Sequence, residues 1–380
     1  MAESRATSAR PLRIVGVTSF MNAAGAQEAL LRIARQLRRR GHHMSVWFLY
    51  EEAPVFRGEP DTYTFVERPR LSPIEYLKVF FALRDRIRRE KPDVVVGFLP
   101  LGQVFGAIAA ASAGVKARIA SQRTPGSTYG RVMRHLDRIC GTTGFYRRIV
   151  CVSEAVRDSF SGYPEGYRRR LCVVHNGIEW PDDLPDRAAA RRRLGLSQDM
   201  IAFLAIGRMK KQKNYRFMLE RVAETPGIVL LIAGDGELRE GLESAAAELA
   251  VSNRIRFLGN VSRSGVRELL SACDVFIQTS AYEGQSNAVL EAMHAGLPII
   301  VSDIPMQRET LCGETGAAAA ILAPLDDPAA WLDGMAQLRD QPALRARLGA
   351  EAKALVERRF GLTRMIDGFE RVFREAVDAA

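Results

Sequence analysis

The order of apolar and polar positions divides the chain into two stretches that repeat one pattern. In the first, short runs rich in β-branched residues alternate with longer segments whose apolar residues recur at helical spacing. Such runs predict strands buried on both faces, as in a parallel sheet that helices cover. The expected strands of this stretch are 13–20, 43–50, 93–99, 117–122, 148–153 and 171–177.

The pattern breaks over 178–196, which is rich in Pro and Asp and is interpreted as a linker, and then it restarts. Each strand of the second stretch is again followed by a helical segment, and an amphipathic helix over 362–377 closes the chain. The fold class is therefore predicted as α/β, with two doubly wound domains facing across a cleft. Ligands are expected beyond the carboxyl ends of the strands. The second set of expected strands is 201–207, 228–234, 255–259, 274–280, 297–303 and 318–323.

These patterns give four segments. We expect a disordered tail over 1–12, a first Rossmann-like domain over 13–182, a second over 183–360, and a C-terminal helix over 361–380 that packs back on the first domain. The tail has no apolar core of the kind that a signal peptide needs. The longest apolar runs fall short of the roughly 20 residues of a membrane helix. Five dispersed cysteines without a C-x-x-C pair indicate reduced thiols and a cytoplasmic location.

Charge is unevenly distributed along the chain. Residues 1–180 contain 29 Lys and Arg against 16 Asp and Glu, a net charge of +13, whereas residues 181–380 contain 25 against 28, a net charge of −3. Solvated helix faces account for part of this excess. The remainder favours a polyanionic neighbour, such as an anionic membrane surface or a phosphorylated substrate. No zinc-finger spacing or basic run interleaved with aromatic residues is found, so we expect no nucleic-acid partner.

Several kinds of nucleotide and metal chemistry are disfavoured by the motifs. The chain has no G-x-x-x-x-G-K-[ST], which argues against a P-loop enzyme, and its first β–α turn lacks G-x-G-x-x-G, which argues against a dehydrogenase. It has no D-x-D motif and no His, Cys or Asp cluster at metal-ligand spacing. We therefore expect no cofactor and no required metal.

Two loops at strand ends of the second domain carry unusual polar content. In "GRMKKQKN", Gly207 lets the backbone turn, and Arg208 and Lys213 flank the start of a helix. Two cations beside a helix N-terminus suit a diphosphate. In "GDGELR", Gly234 allows a tight turn at Asp235 with close approach of the backbone.

A third segment, Thr279–Pro305, contains two glutamates, Glu283 and Glu291, that are separated by seven residues in the pattern E-x7-E. Ser286 is a predicted N-cap for a helix that runs to about Ala295. Glu291 shares a face of that helix with Asn287, and a carboxylate accepts hydrogen bonds from two adjacent hydroxyls, such as those of a ribose. Glu283 precedes the helix N-terminus. The two carboxylates are therefore interpreted as separate contacts to one ligand and not as an acid–base pair.

At this point the sequence resembles a known family. "EGQSNAVLEAM" resembles the E-x7-E signature of retaining GT-B glycosyltransferases, specifically family four, and "GRMKKQKN" and "AGDGELR" resemble two further segments of that family. "VSEAVRDSF" and "VVHNGIE" resemble its domain-junction segments, and "NAAGAQEALLRIARQLRRRGH" resembles its N-terminal glycine loop and first helix. In total the resemblance covers roughly residues 13–375, in the family's order.

The resemblance implies roles for individual residues. Arg208 and Lys213 would bind the donor diphosphate and stabilise the leaving nucleotide, and Glu283 would contact the donor sugar near the reaction centre. Many members have a first-domain histidine near that sugar, but "ASQRTPGSTYGR" contains none, and Arg123 is assigned to the acceptor or sugar side instead. The implied donor-binding residues are Glu291, Gly284, Gln285, Ser286, Asn287, Gly207, Gly234, Asp235, Leu258 and Gly25.

The implied activity is transfer of a hexose or N-acetylhexosamine from a nucleotide sugar, with the anomeric configuration retained. A UDP-sugar is favoured over a GDP-sugar as donor. The expected acceptor is a polysaccharide or a lipid-linked glycan, for example one on polyprenyl diphosphate, in cell-envelope glycan synthesis at the inner face of the membrane. Two alternatives remain at this stage: a GT-B enzyme that is not a transferase, such as a nucleotide-sugar epimerase, and a non-catalytic nucleotide-sugar-binding subunit.

Overall fold

The computed structural model describes residues 10–22, 25–179, 184–313 and 316–379. Most of the expected tail therefore lies outside the described residues. The described chain divides into two compact units. Unit 1 contains the residues up to His175 and those from Thr363 onward, and unit 2 is Asn176–Leu362. The first division falls somewhat before the boundary expected between residues 182 and 183.

Unit 1 is built on a seven-stranded parallel sheet. Its strand order is β3-β2-β1-β4-β5-β6-β7, and every neighbouring pair runs parallel. The strands are Arg13–Met21 (β1), His43–Glu51 (β2), Thr62–Thr64 (β3), Val94–Phe98 (β4), Ala117–Gln122 (β5), Arg148–Cys151 (β6) and Leu171–Val173 (β7). The helices between them are Gly25–Arg39 (α1), Pro73–Glu90 (α2), Pro100–Ser112 (α3), Arg131–Thr143 (α4), Glu154–Asp158 (α5) and Glu165–Arg168 (α6).

Unit 2 repeats this architecture with six parallel strands in the order β10-β9-β8-β11-β12-β13. The strands are Ile201–Ile206 (β8), Ile228–Ala233 (β9), Ile255–Gly259 (β10), Val275–Gln278 (β11), Ile299–Ser302 (β12) and Ile321–Ala323 (β13). The helices are Arg187–Arg193 (α7), Tyr215–Glu224 (α8), Arg239–Glu248 (α9), Arg263–Ala272 (α10), Asn287–His294 (α11), Pro305–Leu311 (α12), Pro328–Asp340 (α13) and Pro342–Arg359 (α14). Short 3-10 helices occupy Gly126–Thr128, Lys211–Lys213 and Ser252–Arg254.

The predicted α/β class and the two doubly wound sheets are confirmed. The central strands β4, β9, β11 and β12 are buried along their whole length, because helices cover both faces of each sheet. The sequence pattern missed β3, whose three residues, Thr62–Thr64, are too few to show a periodicity. All five cysteines are free thiols, and Cys140, Cys151 and Cys273 are buried.

The segment interpreted as a linker contains a docked helix. Residues 180–183 lie outside the described residues, but α7 follows them and is held by Arg191, whose side chain is fully buried. Its guanidinium donates to the carbonyl oxygen of Ala272 at 2.8 Å and pairs with Asp274 at 3.1 Å. Asp274 also accepts from the backbone N–H of Ala202 at 2.8 Å. The basic run over 187–193 is therefore an anchor to the sheet of unit 2.

The last helix of the described chain, α15, spans Leu362–Asp378 and packs within unit 1. Its Phe369 ring stacks on Phe98 of β4 with centroids 6.4 Å apart, and its Glu370 accepts from His42 at 3.2 Å. Gly368 approaches Val174 so closely that an added Cβ would lie 2.8 Å from a Val174 methyl group. No helix in the described part of the chain combines the length and apolar character that a membrane crossing requires.

Candidate functional site

The three polar loops singled out in the sequence lie side by side in unit 2. They follow β9, β8 and β11, which are consecutive neighbours in the sheet. All three strands run parallel, so their carboxyl ends share one edge. This is the edge at which doubly wound sheets bind ligands.

Glycines let the first two loops approach each other. Gly207 and Gly234 both have positive φ, +152° and +137°, and a Cβ on Gly234 would lie 2.2 Å from the carbonyl oxygen of Gly207. Backbone hydrogen bonds join the loops as well, because Met209 N–H donates to the Asp235 carbonyl at 2.9 Å. The Asp235 carboxylate accepts from Gly236 N–H at 2.8 Å, so it stabilises its own turn. Close packing of backbone therefore requires glycine at position 234, and the positive φ favours glycine at position 207.

The first and third loops are joined by an ion pair. Lys213 Nζ donates to Glu283 Oε1 at 2.6 Å, although the two residues are 70 positions apart. The same oxygen accepts from Ser280 Oγ at 2.6 Å. Only 16% of the Lys213 side chain and 8% of the Glu283 side chain are exposed. The structure thus brings together two of the three residues predicted as catalytic, in a largely desolvated position.

The third of these residues, Arg208, lies in the same loop as Lys213 and is half-buried. Its side chain makes no hydrogen bond or ion pair with the residues that the structure describes. A half-buried guanidinium without a carboxylate partner retains all five donors for an anion, and charge-assisted bonds to phosphate are about twice as strong as neutral ones. Arg208 and Lys213 therefore supply the positive charge of this edge.

The helix after the third loop begins as the sequence predicts. Ser286 is the N-cap of α11, and its Oγ accepts from Val289 N–H at 3.4 Å and from Gln278 Nε2 at 3.1 Å. Gln307 Nε2 in turn donates to Gln278 Oε1 at 2.7 Å. The helix ends at His294, one residue before the expected Ala295. A buried chain of three polar side chains therefore fixes the helix N-terminus.

Asn176 is a site residue that sequence reasoning missed. Its backbone N–H donates to Gln285 Oε1 at 2.6 Å, and its side-chain amide donates to the Gln285 carbonyl at 3.3 Å and to Asn287 Oδ1 at 3.1 Å. Gln285 Nε2 is buried and has no hydrogen-bond partner in the described part of the chain. The predicted residues Gln285 and Asn287 are thus held in place by Asn176. The only sequence signal was a polar "HNG" directly after a strand.

Glu291 lies on the half-exposed face of α11, together with Asn287, whereas Val289, Leu290 and Met293 are buried. This arrangement agrees with the shared face that the i, i+4 spacing predicts. Gly284 is buried in the loop before the helix, between Glu283 and Gln285.

The loop after β10 lies beside the Gly234 turn. Leu258 in this strand is half-buried and packs partly against the core of unit 2. Gly234 N–H donates to the Gly259 carbonyl at 2.8 Å, which ties the two loops together. Leu258 is therefore placed next to the other predicted donor-binding residues of unit 2.

The two predicted residues of unit 1, Gly25 and Arg123, follow strands of the other sheet. Gly25 is exposed at the start of α1, next to residues 23–24, which lie outside the described part of the chain. Arg123 directly follows β5, is 8% exposed, and lies with its guanidinium 5.4 Å from the centre of the Phe98 ring. Burial, with a smaller contribution from the charge of Arg32, lowers the pKa of Arg123 to about 9. Arg123 is thus a buried cation at the carboxyl edge of the unit 1 sheet.

Among the described residues, no group of three or more His, Cys, Asp or Glu is placed to hold a metal ion. The chemistry that the site of unit 2 offers is recognition of an anion with adjacent hydroxyl groups. Arg208 and Lys213 supply the cations, the α11 N-terminus supplies backbone donors, and Glu291 supplies a carboxylate acceptor.

Comparison with known families matches nearly the whole chain in two parts. Residues 23–179 match the model of Glycosyltransferase Family 4, and residues 186–355 match the model of Glycosyl transferases group 1.

Among the relatives is the lipopolysaccharide core biosynthesis glycosyltransferase LpsE of Rhizobium meliloti, which is 26% identical over 76% of this chain and 77% of that protein. Another is an Escherichia coli UDP-Gal:alpha-D-GlcNAc-diphosphoundecaprenol alpha-1,3-galactosyltransferase, which is 24% identical over 81% of each chain.

Solved structures share the fold. HepE of Anabaena, in complex with UDP and glucose, superposes with a TM-score of 0.82 at 17% identity, over 96% of this chain and 100% of that one. Sucrose-phosphate synthase of Thermosynechococcus elongatus superposes with a TM-score of 0.84 at 16% identity, over 97% of this chain and 100% of that one.

Proposed function

We propose the following reaction from the premise that this chain belongs to the GT-B glycosyltransferases of the family-four type. The protein moves a hexose or N-acetylhexosamine from a nucleotide sugar to a polysaccharide or lipid-linked acceptor, and the product retains the anomeric configuration of the donor. The observation that carries this proposal is the grouping of Arg208, Lys213 and Glu283 at the carboxyl edge of the unit 2 sheet.

In this proposal the cations act on the leaving group. Arg208 and Lys213 bind the donor diphosphate, and the negative charge that develops on the departing nucleotide is stabilised by these fixed charges. Glu283 orients Lys213 through their ion pair and faces the transferred sugar. Because two side-chain cations serve the diphosphate, we propose that the reaction requires no metal ion.

The nucleoside is bound by the neighbouring loops. Glu291 accepts hydrogen bonds from the ribose hydroxyls, and the loop at Leu258 lies beside the base. We favour a UDP-sugar as donor. The support is that the Escherichia coli relative is named for UDP-Gal and that HepE was solved with UDP and glucose.

The proposed acceptor is a glycan of the cell envelope. Two relatives are named for lipopolysaccharide core synthesis and for a diphosphoundecaprenol acceptor. The net charge of +13 over residues 1–180 favours attachment to an anionic surface. In addition, α2 exposes Ile74, Leu77 and Phe81 along one side, with exposures of 67%, 61% and 48%. We therefore propose a cytoplasmic protein that attaches peripherally to the inner face of the membrane.

A two-step experiment tests this function. In the first step, thermal unfolding is followed with UDP, GDP, ADP and NAD. A nucleotide at 100 times its dissociation constant stabilises the protein by about 2.7 kcal/mol, and we expect UDP to give the largest shift. A larger shift with GDP would contradict the donor assignment.

In the second step, UDP release from a panel of UDP-hexoses is measured with and without glycan acceptors, in the presence of a chelator. We expect UDP release to depend on the acceptor and to persist with the chelator. We also expect the new glycosidic bond, examined by NMR, to have the same anomeric configuration as the donor. Turnover of the nucleotide sugar without any acceptor would instead favour a non-transferase such as an epimerase. An inverted product would contradict the retaining mechanism.

A further inference from the structure

A basic pocket lies on the surface of unit 1. It is formed by one side of α4 and by the chain that follows α5, and its volume is about 230 Å³. Since a water molecule takes up about 30 Å³ of the liquid, this space holds a small anion. The lining residues are Arg131, Arg134, His135, Arg138 and Tyr163.

The positive charges of this α4 pocket are not neutralised by carboxylates. Arg131 and Arg138 make no side-chain hydrogen bond or ion pair within the described chain, and Arg134 donates only to the carbonyl oxygens of Ser127 at 3.2 Å and Tyr129 at 2.9 Å. The one carboxylate of α4, Asp137, is buried on the other side, where it accepts from Tyr167 at 2.8 Å. Unpaired arginines that share a concave surface attract an anion.

Two buried polar atoms of the pocket residues lack a hydrogen-bond partner among the residues that the structure describes. They are Arg134 Nε and Tyr163 Oη. Burial of polar groups without partners is unfavourable, and such groups are commonly satisfied by a ligand or water. Burial also raises the pKa of Tyr163, so its hydroxyl is a proton donor at neutral pH. Both atoms are closed off from solvent, so the donors that the pocket presents to an oxyanion are the guanidinium groups of the exposed residues Arg131 and Arg138.

A larger cavity of unit 1 is lined by residues of both charges. That cavity, of about 390 Å³, also contains arginines, but Asp61 and Glu90 line it too, and Arg38 pairs with Asp61 at 2.8 Å. Part of its positive charge is therefore neutralised by carboxylates of its own lining. The lining residues of the α4 pocket that the structure describes include no carboxylate.

Exposed apolar side chains flank the α4 pocket. Val132 and Ile139 lie on α4 next to Arg131 and Arg138, and 69% and 41% of these two residues are exposed. A free anion needs no apolar neighbour, whereas a lipid presents an anionic group directly beside its apolar chains. The three arginines provide more positive charge than a single phosphodiester would balance, which favours a diphosphate.

We propose that the α4 pocket binds the diphosphate group of a lipid at the membrane surface. If the transfer reaction proposed above is correct, this lipid is the acceptor. The identification of this lipid as the acceptor rests on the proposed function. The binding of a lipid diphosphate to the α4 pocket does not.

The test uses the full-length protein and vesicles of two compositions. One contains phosphatidylcholine with a few percent geranylgeranyl diphosphate, and the other contains phosphatidylcholine with enough phosphatidylglycerol to carry equal charge. We expect tighter binding to the diphosphate vesicles, and release by inorganic diphosphate. Equal binding to both compositions would overturn the assignment, because it would indicate bulk anionic headgroups only.

Substitutions in the α4 pocket test whether the diphosphate vesicles bind there. The double variant Arg131→Gln/Arg138→Gln is expected to lose at least tenfold in affinity for the diphosphate vesicles, whereas Tyr163→Phe should retain wild-type affinity because its hydroxyl is closed off from solvent. A control, Arg169→Gln/Arg358→Gln, removes the same charge from exposed positions outside the pocket and should retain wild-type affinity. An equal loss in the control would overturn the proposal.

The stabilisation by UDP separates this proposal from the proposed function. It should be the same in the wild type and in the variants at Arg131, Arg138 and Tyr163, because these substitutions leave unit 2 untouched. If UDP stabilises the protein but the diphosphate vesicles do not bind selectively, only the pocket assignment fails. If UDP has no effect while the vesicles bind selectively, the donor assignment fails and the lipid site stands.

Discussion

At the scale of single residues, the ion pair between Lys213 and Glu283 links the stability of unit 2 to the proposed chemistry. Both side chains are largely buried, so removal of one leaves the other charged and without its partner. We expect Lys213→Met to lower the free energy of unfolding by about 3 kcal/mol. Loss of one charge-assisted bond to the donor should also reduce kcat/KM by about 10- to 150-fold.

The double variant Lys213→Met/Glu283→Gln distinguishes these two effects. It contains no buried charge at this position, so most of the lost stability should return, while kcat/KM stays low. Urea unfolding and initial rates of nucleotide release measure the two quantities. A double variant that is as unstable as the single one would show that the pair is not coupled.

Asp137 gives a pH dependence with a definite sign. Burial raises the pKa of this carboxyl from 3.8 to about 6, against the opposing effect of hydrogen bonds from Tyr167 and Gln122. Between these two pH values the folded protein holds a proton that the unfolded chain has released. The contribution of Asp137 to stability therefore falls as pH rises from about 4 to 6, by about 3 kcal/mol in total.

The Asp137→Asn variant removes this titration. The difference in unfolding free energy between wild type and variant should change over pH 4 to 6 and remain constant from pH 7 to 8. Urea unfolding of both proteins at these pH values gives the difference. A constant difference across the whole range would contradict a raised pKa.

Substitution of Gly234 and of Gly241 by alanine is expected to change the stability of the protein in opposite directions. A Cβ at Gly234 would lie 2.2 Å from the Gly207 carbonyl oxygen, whereas a Cβ at Gly241, in α9, would meet no described atom within 4 Å beyond its chain neighbours and the backbone of its own helix. We expect Gly234→Ala to destabilise by at least about 1–3 kcal/mol. Gly241→Ala should stabilise by up to about 1 kcal/mol, because alanine is the better helix former. Thermal unfolding of the two variants checks both signs.

At the scale of elements, the N-terminus of α11 is expected to contribute both to stability and to ligand binding, and two N-cap substitutions distinguish these contributions. Ser286→Ala removes the N-cap and also the acceptor for Gln278, and we expect a cost of about 1–2 kcal/mol. Ser262 caps α10 in the same way, with its Oγ 3.2 Å from Gly265 N–H, but it belongs to no predicted ligand loop.

Ser262→Ala is therefore the control for Ser286→Ala. Both variants should lower the unfolding free energy, and only Ser286→Ala should weaken UDP binding, as measured by calorimetry. Equal UDP affinity in the two variants would show that the α11 N-terminus does not contact the donor.

The elements also show what the sequence could and could not predict. Apolar runs such as Ile228–Ala233 predicted their strands because burial on both faces leaves few polar positions. The three ligand loops followed from those strands, since parallel strands end at one edge. Asn176 was missed because its partners Gln285 and Asn287 are 109 and 111 positions away. The α4 pocket was missed because its arginines resemble any solvated helix face until Tyr163 is placed beside them.

At the scale of the whole molecule, the proposed membrane attachment depends on α2. Its exposed residues Ile74, Leu77 and Phe81 recur at helical spacing, and Lys78 is exposed beside them. We expect Leu77→Ser/Phe81→Ser to weaken binding to phosphatidylglycerol vesicles about tenfold, which corresponds to about 1.4 kcal/mol. Val55→Ser, which changes an apolar residue of similar exposure outside α2, should bind as the wild type does in a sedimentation assay.

Because α15 belongs to unit 1, it also determines the order in which the two units are completed during synthesis. A ribosome adds about 5–20 residues per second, so the whole of Asn176–Leu362 is synthesised, over roughly 10–40 s, before Phe369 exists. Throughout that interval Phe98 and Val174 lack the partners that cover them in the finished fold. Unit 2, by contrast, is continuous in sequence and contains all of its own strands when Leu362 is added. The unit that is translated first is therefore the one that is completed last.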